Sequence, residues 1–374
     1  MNALSATFAG LAALAVAMGI GRFAFTPLVP MMQSDVGLTL TEGGWLASAN
    51  YLGYLAGALS AIRLPLSSST TIRVGLLLIS VSTLAMGLYQ SFAYWFVLRV
   101  VAGVASAWLL VFVSAWALAR ASMRGGVYAG VGVGIAVAGA VCLELMTWHA
   151  SSATAWITLG IVSFAATACL WRVFETGANA AAQAAPIRFD SHDWPLVLCY
   201  GAFGFGYIIP ATFLPAMGKM VIVEPNLFGW VWPVFGIAAA ASTLVSGVFS
   251  NQRKVWIVAS LLMAAGVVLP LILSGMLGIL LSALLVGGTF MVITMAGMQE
   301  ARRVAAERAR PLMAAMTSAF ALGQIAGPLV AGYTHSLTQA LIAAAVILTM
   351  SAVALTRDRA NMQPGCSASV IQGN

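Results

Sequence analysis

The sequence predicts an all-α membrane protein of twelve transmembrane helices, arranged as two six-helix parallel repeats. Three observations carry this prediction. Residues 255–299 and 311–356 contain no charged residue, and each run is about twice the roughly 20 residues of helix that cross a bilayer core. Each is broken near its middle, by Ser274-Gly275 in one and Thr334-His335-Ser336 in the other, and so reads as a helical hairpin. The chain is 61% hydrophobic and 7% charged, with a mean hydropathy of +0.98. Soluble domains carry about 25% charged residues, so a soluble globular class is excluded. Finally, a shift of 185 residues places Gly19, Gly21, Pro30, Met32, Gly44 and Trp45 on Gly204, Gly206, Pro215, Met217, Gly229 and Trp230.

Charges, prolines and turn residues bound the elements in order. The first span, 4–32, has no basic residue before Arg22. It therefore reads as a permanent span rather than a cleaved leader. The next five are 44–62, 72–90, 93–119, 125–148 and 153–174, completing an N-terminal six-helix bundle over 1–174. Residues 175–193 (ETGANAAAQAAPIRFDSHD) are polar and Ala-rich and read as a linker between the bundles. Spans at 194–218, 227–250, 255–273, 276–299, 312–334 and 336–356 form the second bundle over 194–356, followed by a polar tail, 357–374. The repeat is offset by an even number of spans, so the two bundles are parallel repeats about an axis along the membrane normal.

An even number of spans puts both termini on one side. If that side is the cytoplasm, its segments hold Arg63, Arg73, Arg120, Arg124, Arg172, Arg188, Arg253, Lys254, Arg302, Arg303, Arg308, Arg310, Arg357 and Arg359, and the opposite segments hold only Lys219. This is the positive-inside bias. It also explains the net charge of +7 without a nucleic-acid partner. The partners expected are the lipid bilayer, a small-molecule substrate and protons, with the chain acting as a monomer. Cys142, Cys169, Cys199 and Cys366 form no close pair, and the three within spans read as packing residues.

The stretches GIGRFAFTPLVPMMQ (19–33), EGGWLASANYLGYLAGAL (42–59), FGFGYIIPATFLPAM (203–217) and FALGQIAGPLVAG (320–332), with the two parallel repeats, resemble the major facilitator superfamily and its YbfB/YjiJ-like branch. The resemblance implies the major facilitator fold, alternating access and a secondary transporter, commonly proton-coupled, in a bacterial inner membrane. Two departures stand out. The loop between helices two and three, GALSAIRLPLSSSTTIR (57–73), lacks the acid of the family's cytoplasmic latch. The fifth helix, GGVYAGVGVGIAVAGAVCLE (125–144), lacks the Gly-Pro pair of antiporters.

Three ionisable residues lie within spans, Arg22, Arg99 and Glu144. A charge at helix centre costs about 2.5–3.5 kcal/mol on insertion scales, so such residues face a cavity or a partner. At 1.5 Å per residue they lie roughly 12, 9 and 6 Å from the outer helix ends, which lets the three meet. Gly19, Arg22, Phe23, Thr26 and Pro30 share one face of helix one. Arg22, Phe23 and Thr26 are therefore candidate substrate contacts, opposed by Tyr200, Tyr207 and Gln324 from the second bundle. Arg99 begins RVVAGVASA (99–107), which resembles the family's fourth-helix Arg-x-x-x-Gly pattern. That resemblance implies a part in proton coupling for Arg99, with Glu144 as the acid. Structural roles, such as an Arg–Glu pair, snorkelling arginines or helix-tying tyrosines and glutamines, are the alternative for each.

Gly126, Gly130 and Gly134, and Gly323, Gly327 and Ala331, are small-residue stripes that let helices approach closely. Helices five and eleven are expected to slide on each other across the bundle boundary, with Pro30 and Pro215 as bends in the gating helices. No cofactor or metal is expected. His149, His192 and His335 fall at helix ends or in the linker, no set has metal-ligand spacing, and no phosphate-cradling Gly-Lys motif is present. Two cations against one acid favour a small organic solute with an anionic group. Efflux of amphipathic compounds is the alternative within transport, and a non-transporting membrane sensor is the alternative of another class. An enzyme lacks a catalytic set.

Overall fold

The computed structural model describes residues 2–174, 190–191, 193–221, 230–273, 275–334 and 336–361. The linker expected at 175–193 lies almost wholly outside them, as do Arg188, His192, His335 and the tail beyond residue 361. Among the described residues the chain is all-helical. The helices are α1 (Ala3–Asp35), α2 (Leu40–Arg63), α3 (Ser68–Ala85), α4 (Phe92–Leu118), α5 (Arg124–Thr147) and α6 (Ser152–Trp171). They continue with α7 (Asp193–Val221), α8 (Val231–Ser246), α9 (Gln252–Ile272), α10 (Met276–Val304), α11 (Ala309–Thr334) and α12 (Leu337–Asn361).

Ten described helices are long and apolar enough to cross a membrane. The helix α8 is apolar but shorter, and α2 is long enough but more polar, carrying Glu42, Ser48, Asn50, Tyr51, Tyr54 and Ser60. Large apolar side chains such as Val97, Ile161, Leu198, Val248, Leu277, Leu329 and Met350 point outward. Many serines and threonines, and the span arginines Arg22 and Arg99, are buried. This is the surface a protein presents to lipid rather than to water.

Helix ends follow local chemistry. Asn2, Ser67, Ser151 and Asn251 each accept a backbone N–H in the first turn of α1, α3, α6 and α9. The hydroxyl-rich run before residue 72 therefore starts α3 at Ser68, earlier than the expected span. Thr39 and Glu42 form a capping box on α2. The Thr39 backbone and hydroxyl hold the Glu42 carboxyl below its usual range. Gly37 (φ +68°) and Gly275 (φ +83°) take the left-handed turns that release α1 and admit α10.

The pairings of α1 with α5, α2 with α4, α3 with α4 and α3 with α6 recur as α7 with α11, α8 with α10, α9 with α10 and α9 with α12. Between the first six helices and the last six, α5 lies along α8 and α2 along α11.

This corrects the expected sliding of helix five on helix eleven. Gly126, Gly130 and Gly134 face α1, against Thr7, Leu11 and Ala15. Gly323 and Gly327 face α7, against Gly201, Phe205 and Ile208. Each stripe closes its own group of helices. The partner of α8 is a second glycine face of α5: Gly125 against Thr243 and Gly247, Gly132 against Gly236 and Ala240, and Gly139 against Pro233. Spacing of four showed that one face is small, but not which helix it meets.

Candidate functional site

The helix α1 is not regular. Ala15–Phe23 is π-helical, and residue 27 is a proline. With no N–H at Pro27, the carbonyl of Phe23 loses its α-helical partner and that of Arg22 its π-helical one. Another helix supplies donors to this stretch. Arg99 of α4 donates from Nη1 to Gly21 O (3.2 Å) and from Nη2 to Arg22 O (3.4 Å), and Ser106 donates to Ala17 O (2.8 Å). The Arg99 guanidinium also lies 4.5 Å from the Phe25 ring centroid. The helix α4 thus fixes the widened turn that carries Arg22.

The Arg22 side chain is 3% exposed. Its Nη2 donates to Gln324 Oε1 on α11, and its Nε and Nη1 have no hydrogen-bond partner among the described residues. The guanidinium lies 4.0 Å from the Tyr54 ring centroid, 5.4 Å from Tyr51, 5.7 Å from Phe23 and 6.0 Å from Phe320. Cation–π attraction of this kind contributes about 0.5–2 kcal/mol per ring. Those faces hold the guanidinium plane but accept none of its N–H groups. Each buried donor left unpaired costs about 1–3 kcal/mol. Arg22 carries that cost at two of its nitrogens, where it faces the last six helices.

Those helices answer with aromatic rings. Tyr207 stacks on Phe290 (5.1 Å, 16° between planes), and Phe290 meets Phe23 of α1 edge-on (5.7 Å). Phe320 meets Tyr54 of α2 (6.4 Å), Tyr200 (5.5 Å) and Phe203 (4.9 Å). As their seven-residue spacing required, Tyr200 and Tyr207 share a face, joined through Phe203. Thr26 is half-buried one turn beyond Arg22, and Pro30 lies inside the same helix. Pro215 is on α7, with its side chain outside the described residues.

The three span charges do not form one group. Arg99 reaches the backbone at Arg22, whereas Glu144 is exposed near the end of α5, without an ion pair to either arginine among the described residues. Depth along three helices left their facing directions open. A second difference concerns the last six helices, for which the sequence predicts no charge within the spans. The helix α10 continues past residue 299 and buries Glu300 (1% exposed), which accepts from Arg303 (2.8 Å) and pairs with Arg253 (3.6 Å). At the same end Arg124 of α5 donates to Gln299 (3.3 Å), Arg310 of α11 lies over Phe112 of α4 (5.2 Å), and Arg308 pairs with Asp193 (2.7 Å).

Tyr51, Tyr54, Phe290 and Phe320 were not singled out from sequence. Their signal was present in α2 alone, where Asn50, Tyr51 and Tyr54 interrupt an otherwise apolar run. The two phenylalanines look like any others in a membrane chain.

A chain whose described residues are all-helical, with ten candidate spans among them, an apolar exterior and buried arginines, is a multi-pass membrane protein. The family model described as "uncharacterised MFS-type transporter YbfB" matches residues 14–356. The chain belongs to that family, which places it among transporters rather than enzymes. No curated protein matches it.

Proposed function

We propose that this protein is a secondary active transporter that moves a small organic anion across the bacterial inner membrane by alternating access, coupled to protons. The observation that carries the reading is Arg22. It is a buried cation with two unpartnered nitrogens, Nε and Nη1, and its third nitrogen, Nη2, donates across to Gln324 on α11. Residues 1–174 and 194–356 act as the two rocking halves, and the recurrence of helix pairings at an interval of six supports this division. The α5–α8 and α2–α11 seams are the surfaces on which they rock. The bias of basic residues orients both termini to the cytoplasm.

The anion binds Arg22, with Thr26, Phe23, Tyr200, Tyr207 and Gln324 completing the site. Arg99 acts on Arg22 by holding the turn that carries it. Glu144 takes the proton. Of the three acids before residue 175, Asp35 accepts from Ser152 and Glu42 from Thr39. That leaves Glu144 as the carboxylate without a partner among the described residues.

Proteoliposomes with an imposed pH gradient and a panel of labelled small carboxylates test the reading. Arg22→Ala is expected to lose uptake, and Arg22→Lys to recover it in part, because a point charge replaces a planar fork. Glu144→Gln is expected to keep exchange at equal pH but to lose accumulation driven by the gradient. Wild-type uptake by Arg22→Ala would overturn the site. Wild-type accumulation by Glu144→Gln would move the proton to another acid, and Glu300, buried beside Arg253 and Arg303, would be the next to test.

A further inference from the structure

Three contacts close over Arg22, and each joins one half to the other. They are the hydrogen bond from Arg22 to Gln324, the Phe23–Phe290 ring pair and the Tyr54–Phe320 ring pair. Phe23, Arg22 and Tyr54 belong to α1 and α2, and Gln324, Phe290 and Phe320 to α10 and α11. Any motion that separates the halves here breaks all three together. It leaves a guanidinium with all three nitrogens unpartnered, beside ring faces and edges that have lost their partners. A ligand that stabilises the opened site replaces what was broken, which requires an oxygen pair for the guanidinium and a ring for the rings.

We infer that the transported solute is an aromatic carboxylate. Its carboxylate engages the fork of Arg22 in place of Gln324 Oε1, and its ring enters between Phe23 and the Tyr207–Phe290 stack. The inference rests on the anionic reading of the site above and makes it narrower.

The ring contacts favour an aryl group over an alkyl one, and the setting of Arg22 favours a carboxylate. Phe290 is already stacked on Tyr207 (5.1 Å) and on Phe235 (5.5 Å) and meets Phe23 edge to face (5.7 Å), an aromatic contact that a ligand ring can take over and a saturated ring cannot. The rings about Arg22 also fix the plane of the fork, with Tyr54 at 4.0 Å, and so fix the direction from which a planar carboxylate approaches. An amphipathic cation would meet Arg22 as a like charge. A neutral aromatic would leave the arginine donors unpaired.

The experiment uses the purified full chain in detergent. Affinities are measured by calorimetry for benzoate, 4-hydroxycinnamate, their saturated counterparts cyclohexanecarboxylate and 3-cyclohexylpropanoate, and neutral benzamide. Each aromatic acid is expected to bind about tenfold more tightly than its saturated counterpart, the scale of one or two added ring–ring contacts. Benzamide is expected not to bind. Phe290→Leu should abolish the preference for the aromatic acid while retaining binding of both acids, and retained binding also reports that the variant is folded. Equal affinity for aromatic and saturated acids in the wild type would overturn the aromatic assignment and leave the anionic reading standing. Failure of all four acids, or benzamide binding as tightly as benzoate, would overturn both.

Discussion

Arg22 owes its setting to two neighbours of different kinds. Pro27 removes one backbone donor from its own helix, and Arg99 of α4 donates to Arg22 O and Gly21 O in that stretch. The side chain of Arg22 is then free to face α11, where Gln324 holds one of its N–H groups. In the closed arrangement the Gln324 amide oxygen occupies the place proposed for a substrate oxygen. Gln324→Glu would put a fixed carboxylate there, and a charge-assisted bond is roughly twice as strong as a neutral one. The variant is expected to melt at a higher temperature and to bind small carboxylates at least tenfold more weakly. A calorimetric titration with an unchanged affinity would remove Gln324 from the site. Arg22 was legible in sequence because a charge within an apolar span has to be accounted for. Tyr54 and Phe320 were not, because aromatic residues are unremarkable in such spans and only their convergence on the guanidinium distinguishes them.

At the scale of elements, α5 is the informative helix. One glycine face lies on α1 and the other on α8, so one helix closes its own group and also meets the opposite one. A leucine at Gly134 would press on the Ala15 backbone, and a leucine at Gly132 on the Gly236 and Ala240 backbone. Overpacking of this kind costs about 1–3 kcal/mol. Gly134→Leu is expected to appear as a lower melting temperature. Gly132→Leu is expected to fall at the moving seam, slowing transport more than tenfold with a smaller thermal effect. Melting curves and initial uptake rates for both variants check this, and the reverse ranking would place the moving seam on α1 instead. The glycine stripes were visible in the sequence as small faces. Their partners were not, since helical spacing fixes which residues share a face but not where that face points.

For the whole molecule, orientation follows from fourteen basic residues expected on one side and one on the other. In a variant lacking native cysteines, Lys254→Cys is expected to react with an impermeant thiol reagent only from the cytoplasmic side, and Lys219→Cys only from outside. Labelling inverted vesicles against intact cells checks this, and the opposite pattern would invert the topology. The ends of the bundle differ in kind. The basic end carries cross-bundle contacts from Arg124 to Gln299 and from Arg310 to Phe112, together with Glu300 between Arg253 and Arg303. None of this was anticipated, because Glu300 lies one residue past the expected end of its span and so was read as loop.

By itself the sequence determined that the protein is helical and membrane-embedded. In lipid the backbone is paired within a helix or around a closed barrel, and uncharged apolar runs of this length lack the short alternating strands of a barrel. It also singled out Arg22 and Arg99, because charges within such runs are few. Only the tertiary structure decided that Arg99 serves the backbone of α1, that Glu144 stands apart, and that Arg22 faces Gln324 and a set of rings. Each of those outcomes depends on the rotation of a helix about its axis. Hydropathy constrains that rotation weakly when lipid and protein interior are equally apolar, and close packing against the neighbouring helices sets it.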